Sequence, residues 1–294
     1  MNGPATLVRR AALAGLAALA IVASGGCQNQ QKDDPAPDPI IRTDPPPTPA
    51  TVAANYNLVV KPLNRLWARV ELRIVGVDDE GEKFDETAEG YLQFVRPGKV
   101  ALTVKKVGET YFSLGSSLDR YWWMDLRKPR TALIGTLARA TPAAVEKFGV
   151  PVHPLDLIDL TGVLTIDPKN ASTAWSADGR QVIMTLPGRW GRKELAFQDD
   201  ARRLVAVRLF DAAGQVVCES KIDMLQRVDF PENPSMSALT PVRMVIRIPT
   251  RQITVTVRLH DPANKPIKET VFDPGELLRA YNIDPENVRS LDQP

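Results

Sequence analysis

The chain of 294 residues holds two histidines and two cysteines, and this scarcity closes off most side-chain chemistry. Imidazole is the usual base in nucleophilic and acid–base catalysis. Here His260 falls on the wet parity of a strand beside Arg258, as a solvated surface residue would, and His153 stands between Pro151 and Pro154 in a loop-like stretch. There is no Gly-x-Ser-x-Gly elbow and no glycine-rich phosphate loop with its lysine. The densest acids, Asp78-Asp79-Glu80 and Asp199-Asp200, are neighbours in turn-like segments. Metal sites need His, Cys and carboxylates at ligand spacing instead. The expectation is a protein without catalytic residues, metal or cofactor, and so not an enzyme.

Charge of one sign is also missing, with 37 Lys and Arg against 35 Asp and Glu. The two extra cations, Arg9 and Arg10, lie in the first ten residues. Without that leader the balance is neutral, and nothing calls for a nucleic-acid partner. Long apolar runs are absent as well: the uncharged Ala/Leu-rich stretch 11–23 is shorter than the roughly 20 residues that span a bilayer. Charged residues, a short apolar run and then small residues form the order of an export signal, expected over 1–26.

The signal ends in Ser24-Gly25-Gly26-Cys27, which resembles the lipobox of bacterial lipoproteins, with Ser24 where leucine is usual. The resemblance implies cleavage before Cys27, acylation of that residue with palmitate-type chains, and a membrane partner held through them. An ordinary signal peptide with Cys27 incidental is the competing interpretation. Gln28 is not the aspartate that retains enteric lipoproteins at the inner membrane, so an envelope protein anchored to the outer membrane and facing the periplasm is expected. Residues 27–50 are rich in proline and lack apolar periodicity, as an extended tether would be. With Cys27 acylated, Cys218 has no partner for a disulfide and, alternating with Val216, is expected as a buried thiol.

Beyond the tether, one domain is expected over 51–285, with 286–294 as a tail. A helix fits 51–66, with Thr51 as its possible cap, although Pro62 should kink or end it. From Ala68 to Ile74 apolar and polar residues alternate, the two-residue period of a half-buried strand. Strand signals recur at 86–96, 99–107, 109–115, 119–126, 172–177, 181–187, 192–198, 203–211, 215–228, 241–249 and 252–260. Tight turns such as Arg96-Pro97-Gly98, Asp178-Gly179 and Ala213-Gly214 separate them. Between 128 and 161 the pattern breaks, with short helices expected at 141–149 and 154–160, and a further one at 274–281. About eleven or twelve consecutive antiparallel strands exceed what an open sheet holds without curling. The fold class expected is mainly β (α+β), a curved antiparallel sheet or unclosed half-barrel whose concave face is plugged by the few short helices.

The lipobox, linker and leading helix, followed by Leu66-Trp67-Ala68-Arg69-Val70-Glu71-Leu72, Gly90-Tyr91-Leu92-Gln93-Phe94-Val95-Arg96-Pro97-Gly98, Gly115-Ser116 and Tyr121-Trp122-Trp123, resemble the LolA/LolB-like superfamily over 51–285. The resemblance implies an unclosed barrel whose apolar cavity accepts a lipid or the acyl chains of a lipoprotein. LolB-type receptors carry a protruding loop that the turn at Gly108-Glu109 is too short to form, so no LolB residue is carried over. Leu92, Phe94, Leu102, Phe112, Tyr121, Trp122 and Trp123 are the candidates for lining such a cavity, against the alternative that they are core. A ligand-binding lipoprotein and a structural or assembly lipoprotein with a filled core both remain open.

Overall fold

Period-two alternation along the chain becomes a single sheet of fourteen strands in the computed structural model, which describes residues 38–292 except 79, 147–151, 231 and 234. The signal, Cys27 and the first part of the tether lie outside the described residues. The first half of the chain gives β1 (Arg65–Val77), β2 (Lys83–Val95), β3 (Lys99–Lys106), β4 (Glu109–Ser116), β5 (Arg120–Asp125) and β6 (Thr131–Thr136). The second gives β7 (Ser172–Trp175), β8 (Gln181–Pro187), β9 (Arg192–Gln198), β10 (Leu204–Phe210), β11 (Val216–Asp229), β12 (Ser237–Ile248), β13 (Ile253–Ala263) and β14 (Val288–Ser290). β1–β6 and β7–β13 are each an antiparallel meander, and they join where β1 pairs with β13, Leu72 opposite Val257. The outer strands β7 and β14 do not pair with each other, so the barrel stays unclosed.

The strand count is higher than the eleven or twelve expected, and the two strands with no counterpart among the expected segments were missed for local reasons. In β6 both Ala132 and Leu133 are buried, one on each face, so no alternation marks it and it fell inside the supposed 128–161 break. Strand β14 is three residues long and pairs in parallel with β6, Val288 opposite Ala132, within the supposed tail. Leu291 is buried and Asp292 accepts a hydrogen bond from the Thr136 amide at 2.9 Å, so the chain is tied down to the end of the described residues.

The leading helix α1 is Pro49–Val60, not 51–66. Its cap is Thr48, whose hydroxyl accepts from the Thr51 amide, and Pro49 takes the first helical position, where a missing N–H costs nothing. Pro62 prevents continuation, so Leu66 enters β1. The remaining helices, α2 (Pro142–Glu146), α3 (Leu157–Leu160) and α4 (Pro274–Ala280), fall within their expected segments.

Both faces of the sheet carry cover. On the concave side Val52, Ala53, Tyr56 and Val60 of α1 pack on the rows of Leu72, Phe94, Met244 and Leu259. On the convex side Trp122, Met124 and Ala132 pack against Phe272 and Ile283 of the C-terminal segment. Two glycines make room for the largest rings: a Cβ would lie 2.6 Å from Trp122 at Gly115 and 2.5 Å from Tyr121 at Gly135. Residues 38–48, expected as tether, run along the β7–β8 hairpin instead. Ile40 N–H donates to the Asp178 carbonyl at 2.8 Å, Trp175 Nε1 to the Asp44 carbonyl at 2.9 Å, and the Arg42 guanidinium stacks 4.2 Å from the Trp175 ring centroid.

Candidate functional site

The segment from 152 to 170 crosses the mouth of the concavity, and side chains from α1 and β2's end bind it. Tyr56 donates its hydroxyl hydrogen to the Gly162 carbonyl, and Asn57 exchanges two hydrogen bonds with the Ile166 backbone, both at 2.9 Å. Arg96 reaches the carbonyls of Leu63, Val60 and Val163, each at 3.0 Å. The Val60 carbonyl also accepts from the Leu63 amide at 3.0 Å, and a planar guanidinium can bond several carbonyls at once. Burial holds the Tyr56 phenol well above its ordinary range and lowers Arg96, whose charge works against the Tyr56 rise.

Two cavities flank this segment, of about 370 Å³ and about 480 Å³. They share Asp159, Leu164, Pro187 and Lys193. The smaller is closed by Tyr56, Ile166, Leu186, Leu195 and Leu204. The larger opens between the β4–β5 turn, with Ser116 and Leu118, and the β8–β9 turn, with Arg189, and is walled by Leu137, Leu155 and Ile158. At the boundary Lys193 Nζ lies 2.7 Å from Asp159 Oδ1, the two side chains 24% and 14% exposed. Lys193 opposes Leu186 and Leu209 on the apolar face of β9. A cation there needs a partner, which α3 supplies.

Behind the larger cavity lies a buried polar cluster. The His153 ring sits between Tyr121 and Trp190, with centroids 4.9 and 5.0 Å away, and its Nδ1 accepts from the Leu155 amide. Asp156 accepts from Trp190 Nε1 at 2.9 Å. Burial pushes the Asp156 carboxyl up to about 7, opposed by the Trp190 hydrogen bond and reinforced by the Asp159 charge. Burial, and then the Arg189 charge, hold His153 down to about 4. The Cys218 thiol, buried as expected, is pushed up to about 12 by burial and then by Asp156. A thiol protonated at neutral pH is not an activated nucleophile. His260 is exposed on the other face, 3.4 Å from Glu71. Among the described residues no cluster of His, Cys, Asp and Glu could hold a metal, and no helix is long and apolar enough to cross a membrane.

The seven sequence candidates do not assemble around either cavity. Leu92, Phe94 and Leu102 lie sealed in the concave core, while Phe112 and Trp123 stack beside them, centroids 5.0 Å apart. Tyr121 backs onto His153, and Trp122, one residue on, points to the convex face. The residues that do meet at the cavities, Asp159, Leu164, Arg189 and Lys193, carry little local signal. The one available was Lys193 on the same parity as Leu195 and Phe197, a charge in an apolar row.

No protein-family model and no curated protein matches the chain. Among solved structures, a LolA superfamily protein from Nitrosomonas europaea aligns at 9% identity over 78% of this chain and 99% of its own, with a TM-score of 0.52. A putative outer membrane lipoprotein-sorting protein domain from Vibrio parahaemolyticus aligns at 8% identity over 77% of this chain and 96% of its own, with a TM-score of 0.49. A DUF1329 family protein from Desulfovibrio piger aligns at 12% identity over 77% and 99%, with a TM-score of 0.45. With its unclosed antiparallel sheet curved around a helix, this chain has a LolA/LolB-like fold.

Proposed function

We propose that the protein is a non-enzymatic lipoprotein of the cell envelope, anchored through acylated Cys27 to the outer membrane and facing the periplasm, that binds an apolar ligand in the concavity of its sheet. The ligand class is a lipid or the acyl chain of a lipoprotein. The observation that carries this is the pair of adjoining cavities at the mouth of the sheet, each above the roughly 300 Å³ at which ligand pockets begin, with leucine and isoleucine walls. Leu92, Phe94, Leu102, Phe112, Tyr121 and Trp123 share the concave face and become ligand-lining where α1 and the 152–170 segment lift. Trp122 stays with the convex packing.

The second reading, a structural or assembly lipoprotein, is favoured by α1, which fills the concavity with Val52, Tyr56 and Val60. Native mass spectrometry of the full chain carrying Cys27→Ser separates the two. Co-purified lipid, or uptake of a fluorescent fatty acid, is expected for the binding function, and a clean apo mass with no uptake favours the scaffold.

A further inference from the structure

The two cavities differ in charge. The smaller is balanced, with Asp159 and Asp167 against Lys169 and Lys193. The larger has Arg189 and Lys193 against Asp159 alone. Arg189 forms no ion pair among the described residues and is carried by the Trp190 ring, 5.8 Å from its centroid. Trp190 is itself fixed by its hydrogen bond to buried Asp156. Arg189 is exposed and lines the rim together with Ser116 and the β2–β3 turn, and the acid whose charge it senses, Asp156, is buried behind the cavity. Leu118, 57% exposed, and Leu137 offer apolar surface at the same rim.

From this arrangement we infer that the larger cavity is the headgroup subsite for an amphiphile with one anionic head, a carboxylate or a phosphate, held between Arg189 and Lys193 with its chain against Leu118, Leu137 and Leu155. The inference rests on the ligand-binding reading above and adds the head. A guanidinium and an ammonium converging on one oxyanion give charge-assisted hydrogen bonds, stronger than neutral ones. The incoming anion competes with Asp159 for Lys193, so the ion pair sets the affinity and also closes the passage to the smaller cavity until it is displaced.

The test is a native mass spectrometry titration of the full chain with dodecanoate, dodecyl phosphate and dodecanol, which share a chain and differ in the head. One or both anions should bind at least fivefold more tightly than dodecanol, and which of them does identifies the head. Arg189→Gln, at an exposed turn position, should weaken anion binding several-fold more than dodecanol binding and so remove most of that preference. Asp159→Asn frees Lys193 and should strengthen anion binding severalfold, a gain that loss of structure cannot mimic. Equal binding of all three probes overturns the headgroup subsite and leaves the ligand-binding function standing. Failure of all three to bind overturns both.

Discussion

Single residues carry strain and buried charge that can be measured. Val107, in the β3–β4 turn, has φ of 51° and is 94% exposed. A β-branched residue is poorly suited to the left-handed region, which asparagine tolerates, and hairpin turns of this kind favour Asn-Gly. Val107→Asn should therefore raise stability by about 0.5–1 kcal/mol, read from the urea midpoint. Asp156 works in the other direction. Its folded pKa of about 7 stands above the ordinary 3.8, so the native state holds the proton more tightly than the unfolded chain. Its contribution to stability is full below the unfolded value and is lost as pH rises towards 7. Asp156→Asn keeps an acceptor for Trp190 and removes the ionisation. The variant should melt higher than the parent at pH 8, with the difference closing towards pH 4. His153 has the opposite slope, losing stability as pH falls from 6.5 to about 4, so the difference between the two proteins isolates Asp156.

At the scale of elements, a few side chains decide whether the plug stays seated. Arg96 joins α1, the turn after it and the 163–165 stretch through three carbonyls, of which Val60's also accepts from the Leu63 amide. Arg96→Ala should cost about 2–4 kcal/mol, the scale of losing charged hydrogen bonds to part-buried acceptors. Arg96→Lys should not restore it, because an ammonium lacks the planar fork that spans three carbonyls. The docking of 38–48 on β7–β8 depends on Trp175, which both donates to Asp44 and stacks under Arg42. Trp175→Ala should speed hydrogen exchange in 38–48 several-fold more than in the central strands β1 and β13, since opening of the docked segment is local.

For the whole molecule, the docked segment bears on how the domain sits at a membrane. Between Cys27 and Asp38 a fully extended chain reaches at most roughly 40 Å. With Cys27 acylated, the β7–β8 hairpin should therefore lie within that distance of the bilayer, which fluorescence transfer from a label at Ala177, exposed in the hairpin turn, to the lipid surface measures. Cys27→Ser should move the protein from the membrane to the soluble envelope fraction, and unchanged partition would sink the anchor.

Alternation along β8, after the Asp178-Gly179 turn, settled its limits in the sequence alone, because a strand wet on one face must alternate. The same logic, with the excess of strands over helices, determined a curved antiparallel sheet. Where both faces are covered, as for β6, or the strand is three residues long, as for β14, no period exists to read. The site was hidden for a related reason. The seven aromatic and aliphatic candidates stood open between core and cavity lining, because the sequence does not reveal which of them α1 and the C-terminal segment cover. Asp159 and Lys193 are 34 positions apart, and Arg189 faces Ser116 across the opening. Local pattern specifies which face of a strand is apolar, whereas cavities and charge pairs arise where distant faces meet, and only the tertiary structure brought those together.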